Sequence, residues 1–365
     1  MALTCGIVGL PNVGKSTLFN ALTKNNALAA NYPFATIEPN IGTVEVPDSR
    51  LQILTTMFIP KKTVSTLFEF TDIAGLVKGA SKGEGLGNQF LSHIREVDAI
   101  AQVVRCFVDE NITHVDGDID PLRDIETINL ELILADMEMI DKRLPKIEKK
   151  AKLKQDKEIV WEYEVLIKIQ DALENELPAR SVELTENELK IIKHFSFLTL
   201  KPMMYVANVS EDDIAEGNDY IQQIEAYASK YNDKVVMVSA QIEAELSELE
   251  DDEKAIFLED LGASESGLQI MIREAYALLG LKTYFTAGVQ EVRAWTYKDG
   301  MTAKQCAGVI HTDFEKGFIR AETIGYDDLL ETGSEKAAKE AGKMRLEGKE
   351  YLVKDGDVLH FRFNV

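Results

Sequence analysis

The sequence has few cysteines and no long apolar stretch. Cys5, Cys106 and Cys306 are far apart and form no CxxC pair, so we expect buried thiols rather than a metal or redox site. No apolar run approaches the roughly 18 residues that a membrane-spanning helix needs. No basic segment followed by an apolar one, as in a signal peptide, begins the chain. The sequence therefore predicts a cytoplasmic protein with no membrane partner.

Positive charges are outnumbered by negative ones. The 365 residues include 62 Asp and Glu against 40 Lys and Arg, which gives a net charge of −22. Such an acidic surface argues against broad, non-specific binding to nucleic acid, and we expect no stable DNA binding. From Leu281 onward, 13 basic residues stand against 14 acidic ones. The acidity therefore lies upstream, which leaves room for one basic face.

Short apolar runs that alternate with helical patterns dominate the first third of the chain. The pattern resumes after residue 200, and both parts are typical of βαβ units with a parallel sheet. The apolar runs are residues 5–9, 66–70, 99–104, 203–207 and 235–238. We therefore predict one discontinuous α/β nucleotide-binding domain over residues 1–123 and 201–279.

Residues 124–200 interrupt this rhythm with apolar residues that recur at steps of three and four. Such spacing is typical of a coiled-coil-like helical hairpin, although Pro145 argues for a kink. The apolar residues are Ile133, Met137, Ile140, Leu144, Ile147 and Ala151, followed by Ile159, Tyr163, Leu166 and Leu173. The predicted tip carries Lys149, Lys150, Lys152, Lys154 and Lys157. These lysines either contact ribosomal RNA or form a solvated tip.

The last segment, residues 280–365, returns to strand-like patterns. Apolar and polar residues alternate at 289–295, 317–322 and 357–363, which is typical of half-buried strands. We predict a small C-terminal α+β domain here.

Residues 9–16 read GLPNVGKS and match the P-loop pattern GxxxxGK[ST] between a predicted strand and a predicted helix. The glycines let backbone N–H groups face phosphate, and the helix N-terminus adds partial positive charge. Lys15 would reach the β- and γ-phosphates, and the Ser16 hydroxyl would bind Mg²⁺. The candidate phosphate-binding residues are Asn12, Val13, Gly14, Lys15, Ser16 and Thr17.

A second motif, DxxG, runs from Asp72 to Gly75 at the end of a predicted strand. After a P-loop, this motif places a carboxylate near Mg²⁺ and a glycine near the γ-phosphate. The glycine-rich residues 79–87 favour a switch loop that becomes ordered on the γ-phosphate, with a plain flexible loop as the alternative. We expect a switch threonine to complete the Mg²⁺ shell, and we choose Thr36, with Thr43 as the second candidate.

The base-recognition motif of GTPases, NKxD, is missing. Its Asp accepts hydrogen bonds from guanine. Here the corresponding residues are Asn208, Val209, Ser210 and Glu211, so that valine replaces the lysine and glutamate replaces the aspartate. A site that loses such a polar match loses discrimination for its ligand. We therefore predict that ATP is preferred over GTP, with Ser239 in the next loop as a further base-side residue.

Together these motifs resemble those of the YchF proteins, the Obg-like ATPases among the Obg-related P-loop proteins. The resemblance rests on residues 9–16, 31–42 and 72–76 and on the divergent 208–211, and it covers essentially the whole chain. It implies a helical insertion, a C-terminal TGS domain over residues 280–365, and hydrolysis of ATP and, more weakly, of GTP. Because TGS domains also occur in threonyl-tRNA synthetases, it implies contact with RNA or the ribosome.

Hydrolysis needs a water held in line with the γ-phosphate and compensation for developing charge. Many GTPases orient that water with a glutamine after DxxG, and Leu76 cannot do so. The resemblance points to a histidine in the loop after residue 108, so His114 is our candidate catalytic residue beside Lys15. It also suggests that Asn12 helps to hold K⁺, which would add positive charge beside the phosphates.

We therefore predict an Mg²⁺-dependent ATPase that acts as a molecular switch in translation. An alternative is a nucleotide-gated RNA-binding or adaptor protein whose hydrolysis is incidental. A third interpretation is a small-molecule kinase that shares only the P-loop, and the DxxG motif and the switch threonine count against it.

Overall fold

The computed structural model describes residues 3–24, 40–75, 86–109, 111–112, 117–154 and 156–364. Within these ranges the strands are β1 (Thr4–Gly9), β2 (Ile41–Glu45), β3 (Thr63–Val64), β4 (Leu67–Asp72), β5 (Ala99–Arg105), β6 (Met203–Asn208), β7 (Lys234–Val238), β8 (Leu281–Thr286), β9 (Val292–Lys298), β10 (Phe318–Ile324), β11 (Arg345–Glu347) and β12 (Val358–Phe363). The helices are α1 (Lys15–Lys24), α2 (Ser49–Phe58), α3 (Leu86–Glu96), α4 (Pro121–Lys152), α5 (Lys157–Glu174), α6 (Glu186–Ile192), α7 (Asp219–Ala228), α8 (Ala240–Leu246), α9 (Asp251–Asp260), α10 (Gly267–Leu278), α11 (Ala303–Ile310), α12 (Thr312–Lys316), α13 (Tyr326–Thr332) and α14 (Glu335–Glu340).

The chain forms two compact units. The first unit comprises residues 1–44 and 69–275, and the second comprises residues 45–68 and 276–365. No helix in the described part of the chain is both long enough and apolar enough to cross a membrane.

The first unit contains the predicted parallel sheet, with six strands in the order β2-β4-β1-β5-β6-β7. β1 pairs in parallel with β4 and β5, and the pairs β5–β6 and β6–β7 are parallel as well. All residues of β5 and β6 are buried, as expected for parallel strands covered on both faces. Strand order changes direction at β1, and in open sheets ligands bind at the carboxyl ends of the strands at such a point. The P-loop therefore lies at the expected binding edge.

The predicted helical hairpin is also confirmed. α4 has 32 residues, begins at an Asp120 cap and continues through Pro145, so the proline does not end the helix. α5 begins soon afterwards at an Asp156 cap, and Arg143 of α4 pairs with Glu162 of α5 at 2.6 Å. Most of the predicted apolar residues of both helices pack in one cluster. Its buried members include Ile133, Ile140, Leu144, Ile147, Leu166 and Leu173, and Met137, Ile159 and Tyr163 pack against it partly buried. The hairpin is therefore held by the periodic apolar seam.

The second unit contains a mixed sheet in the order β11-β10-β12-β8-β9-β3. The pairs β8–β9 and β10–β12 are antiparallel, whereas β12 and β8 are parallel. Phe285 and Val292 belong to one buried cluster, and Tyr284 and Phe361 belong to another. The predicted α+β character of the C-terminal segment is confirmed.

The structure groups residues 45–68 differently from the sequence, which assigned them to the nucleotide-binding domain. β3 pairs with β9 through Thr63 and Val292, and Leu54 of α2 packs in the same buried cluster as Phe285. Local patterns cannot reveal this grouping, because the partners lie far downstream in the chain. Residues 124–200 belong to the first unit, and their standing as a separate domain remains a prediction.

Candidate nucleotide-binding site

The P-loop connects β1 to α1 through two residues in the left-handed region. Gly14 has a φ of +93° and Asn12 a φ of +64°, conformations that glycine adopts freely and asparagine more readily than most residues. A Cβ at Gly14 would lie 2.2 Å from Nδ2 of Asn208, and one at Gly9 would lie 2.9 Å from the carbonyl oxygen of Val103. Close packing therefore requires both glycines of the motif.

The structure brings the P-loop and the DxxG motif together. Lys15, the first residue of α1, is 9% exposed, and its Nζ is ion-paired with Oδ1 of Asp72 at the end of β4. A Cβ at Gly75 would lie 3.6 Å from the carbonyl oxygen of Gly9, so the glycine of DxxG lies beside the P-loop backbone. A phosphate group at this edge would compete with Asp72 for the Lys15 amine.

The oxygen groups at this edge suit Mg²⁺. Ser16 and Thr17 are exposed in the first turn of α1, and hydroxyl and carboxylate oxygens are ligands that Mg²⁺ accepts. Among the described residues, no group of three or more His, Cys, Asp or Glu side chains could hold a metal. Mg²⁺ does not need such a group, because it usually keeps several waters and takes one or two carboxylates together with substrate phosphates. Ser16 and Asp72 are the described side chains that could hold it.

The side chain of Asn208, the last residue of β6, forms hydrogen bonds to two other segments of the first unit. Its Nδ2 donates to the carbonyl oxygen of Val13 at 2.8 Å, and its Oδ1 accepts from the backbone N–H of Ala240 at 2.9 Å. The residue is only 3% exposed. Asn208 therefore ties the P-loop to the loop after β7, and its contact with a base remains a prediction.

The other base-side candidates differ in exposure. Val209 is 2% exposed and donates its N–H to Val238, whereas Glu211 is exposed and begins the 3-10 turn Glu211–Asp213. Ser239 is buried, and its Oγ has no hydrogen-bond partner in the described part of the chain. It lines a cavity of about 30 Å³, which can hold a water molecule but not a base. Of these candidates, only Glu211 presents an exposed side chain.

Arg105, which the sequence patterns did not indicate, holds the loop after β5 by hydrogen bonds to its backbone. It is 1% exposed, and its guanidinium donates to the carbonyl oxygens of Phe107, Asp109 and Ile112 at 3.2, 3.2 and 2.9 Å. The guanidinium carbon lies 4.7 Å from the centroid of the Phe107 ring. A charged residue that ends an otherwise uncharged strand is the sequence signal that would have identified it. The loop at the binding edge is therefore built around a buried cation.

Three residues that the sequence singled out lie outside the described residues: Thr36, Leu76 and His114. Their roles remain predictions. Thr43, the second candidate for the switch threonine, lies in β2 and is partly buried. The three predicted thiols are buried and free of disulfide bonds. Burial raises the pKa of Cys106 to about 12, which makes that thiol unreactive near neutral pH.

Two family models match the chain. One, described as a 50S ribosome-binding GTPase, covers residues 4–136. The other is the C-terminal family of YchF GTPases, described as a protein of unknown function (DUF933), and covers residues 281–364.

The chain is similar over its full length to curated relatives. It is 65% identical over 367 residues to the ribosome-binding ATPase YchF of Bacillus subtilis, and 59% identical over 365 residues to that of Haemophilus influenzae, with 100% of each chain covered. The solved structure of the Schizosaccharomyces pombe YchF GTPase matches with a TM-score of 0.87 and 41% identity, over 99% of this chain and 97% of that one. Because identity of this extent spans both units, the chain belongs to the YchF family of P-loop nucleotide-binding proteins.

Proposed function

We propose that this chain is an Mg²⁺-dependent ATPase that works as a molecular switch on the ribosome. The observation that carries the proposal is the junction of two motifs, in which Lys15 pairs with Asp72 and Gly75 lies beside Gly9. In P-loop NTPases, groups in these positions hold the phosphates and Mg²⁺. The names of the bacterial relatives and of the family model over residues 4–136 support the ribosome as partner, and with it a cytoplasmic location.

The preference for ATP over GTP rests on the residues after β6. The relatives' names differ on this point, since the bacterial proteins are named ATPases and the fission yeast protein a GTPase. At the position of the NKxD lysine, Val209 is buried, and at the position of the aspartate Glu211 stands exposed with a longer side chain. We propose that this arrangement accepts adenine, and GTP only more weakly.

We propose the following roles within the site. Lys15 exchanges the Asp72 carboxylate for the β- and γ-phosphate oxygens, and the hydroxyls of Ser16 and Thr36 hold Mg²⁺. When bound, Mg²⁺ neutralises charge on the β- and γ-oxygens. His114 orients the attacking water. The domain roles that go with this proposal are a helical insertion over 124–200 and a TGS domain over 280–365.

The His114 assignment is tested by turnover at saturating ATP, with and without ribosomes. His114→Ala should lower the rate by about 10²-fold or more, in the range for a lost general base or orienting group, and leave ATP affinity within twofold. His311→Ala is the matched control, because His311 is an exposed histidine of the second unit. Wild-type turnover in His114→Ala would remove His114 from the mechanism.

The K⁺ proposal for Asn12 has its own test. Asn12 lies in the P-loop with a left-handed backbone, where a side-chain oxygen could help to hold a cation beside the phosphates. Turnover should be higher in KCl than in NaCl at equal ionic strength, and Asn12→Ala should abolish the difference. Equal rates in the two salts would contradict the proposal.

A nucleotide-gated RNA-binding adaptor is the second candidate function, and the exposed lysines of the hairpin tip favour it. Lys149 and Lys150 lie in the last turn of α4, and Lys154 lies in the connection to α5. Reversing these three charges to Glu should weaken RNA binding and make its salt dependence shallower. A control reverses three exposed lysines of the second unit, namely Lys336, Lys339 and Lys349. An RNA affinity that changes neither with bound nucleotide nor with reversal of the tip lysines would contradict this candidate function.

A further inference from the structure

The loop after β6, residues 208–213, is held in one shape by a polar network that the motifs do not reveal. We call these residues the base loop. We propose that Asn218 and Asp213 are positioning residues that preform the base loop and thereby set how much the nucleobase adds to nucleotide affinity. The inference rests on the proposed function, because it assumes that a base binds at this loop.

Asn218 connects three parts of the first unit. Its Oδ1 accepts from the N–H groups of Tyr220 and Ile221 at 3.1 and 3.2 Å and so caps α7. Its Nδ2 donates to the carbonyl oxygen of Cys106 after β5 at 2.8 Å and to Oδ2 of Asp213 at 2.9 Å. Both donors and the acceptor of the amide are therefore used, and each goes to a different element.

Asp213 forms hydrogen bonds to Ser210 within the base loop. Its Oδ2 accepts from the hydroxyl of Ser210 at 2.7 Å as well as from Asn218, and its N–H donates to the carbonyl oxygen of Ser210 at 3.3 Å. The carboxylate therefore faces the protein and is committed to two donors. Oδ2 of Asp213 is thus engaged inside the protein, whereas Glu211 and Asp212 are exposed.

The other end of the base loop is anchored as firmly. Asn208 is bonded to Val13 and Ala240, and its carbonyl oxygen accepts from the N–H of Cys106 at 2.8 Å. The carbonyl oxygen of Cys106 thus accepts from the side chain of Asn218, and the N–H of Cys106 donates to the carbonyl oxygen of Asn208. Because the base loop is fixed at both ends, binding a base costs no further free energy for ordering the loop. Such preorganisation raises affinity.

Asn218→Asp separates the positioning role from general damage to the fold. The substitution is nearly isosteric and keeps an oxygen to cap α7, but it removes both donors and places a second carboxylate against Asp213. Inorganic tripolyphosphate probes the P-loop without a nucleoside, so the ratio of its Kd to the Kd of ATP measures what the base and the ribose together add to affinity. A change in this ratio caused by a variant of the base loop reports the contribution of the base. We expect that ratio to fall at least tenfold, while the Kd of tripolyphosphate stays within twofold of wild type.

Two further variants complete the test. Asn218→Asp combined with Asp213→Asn restores a donor–acceptor pair with exchanged roles and should recover part of the ratio. Asn175→Asp adds the same charge at the exposed cap of α5 and should leave the ratio unchanged. If Asn218→Asp proves poorly folded by circular dichroism, Ser210→Ala removes one bond to Asp213 and should lower the ratio in the same direction by less.

The outcomes separate this inference from the proposed function. An unchanged ratio in Asn218→Asp and Ser210→Ala, or equal losses of ATP and tripolyphosphate affinity, would overturn the inference and leave the ATPase proposal standing. Equal affinity of the wild type for ATP and GTP would instead overturn the proposed base preference. In that case, the ratio of the Kd of tripolyphosphate to the Kd of the nucleotide would still test the inference.

Discussion

At the scale of single residues, Lys15 changes partners in the proposed cycle. Its amine pairs with Asp72 in the structure, and a charge-assisted hydrogen bond contributes about 1.5–3 kcal/mol. We therefore expect Lys15→Ala to weaken binding of Mg²⁺·ATP by about tenfold or more, at about 1.4 kcal/mol per tenfold. Isothermal titration calorimetry measures this change directly.

The same helix supplies the control for that experiment. Lys24 lies in the last turn of α1, is exposed, and pairs with Glu248 at 2.6 Å. Lys24→Ala should leave ATP affinity within twofold of wild type, since exposed ion pairs contribute little. Equal ATP affinity in Lys15→Ala and in Lys24→Ala would contradict the assigned phosphate site.

Arg105 gives a second prediction at this scale. Arg105→Met keeps the apolar stem but removes the donors to three loop carbonyls. We expect the free energy of unfolding to fall by about 2–3 kcal/mol, and chymotrypsin to cut faster after Phe107 in the native state. Arg320→Met, at an exposed arginine of β10, should change neither quantity. Wild-type resistance to chymotrypsin in Arg105→Met would contradict the role of the cation in the loop.

At the scale of elements, a buried carboxylate joins α4 to the chain that leads into β6. Asp136 is fully buried and accepts from the N–H groups of Leu198 and Thr199 at 3.0 and 2.8 Å and from the Thr199 hydroxyl at 2.7 Å. Burial outweighs these donors and raises its pKa from 3.8 to about 6. The carboxyl of the folded chain therefore holds a proton up to a higher pH than that of the unfolded chain.

This shift predicts a pH dependence with a definite sign. Between about pH 4 and pH 6 the folded chain binds more protons at Asp136, so its stability falls as pH rises, by about 3 kcal/mol in total. The free energy of unfolding of the wild type minus that of Asp136→Asn should decline across this window and level off above it. Urea titrations read by Trp161 fluorescence, in a Trp295→Phe background, report the first unit. A flat or rising difference would contradict the prediction.

The sequence predicted elements well where the signal is local. The strand before the P-loop, the apolar seam of the hairpin and the α+β character of residues 280–365 all follow from short-range patterns. It did not indicate that residues 45–68 group with residues 276–365, because β3 pairs with β9, which lies far downstream. It also could not show that Asn208 is bonded to Val13 and Ala240, or that Arg105 organises a loop, because those contacts depend on how distant segments meet.

For the whole molecule, the net charge and the names of the relatives lead to opposite expectations about RNA binding. A chain with a net charge of −22 is repelled overall by RNA, yet its relatives are named ribosome-binding proteins. The ribosome contact that we propose for this chain would therefore be local, at the lysines of the hairpin tip or on the nearly neutral C-terminal segment. The proposed switch thus combines a nucleotide site in the first unit with separate contact surfaces.

The proposed function requires that this P-loop protein bind ATP in preference to GTP. Calorimetric titrations of the wild type with Mg²⁺·ATP and Mg²⁺·GTP, in the same potassium buffer, test it most directly. We expect ATP to bind at least tenfold more tightly than GTP, a difference of about 1.4 kcal/mol. Equal affinities, or tighter binding of GTP, would contradict it.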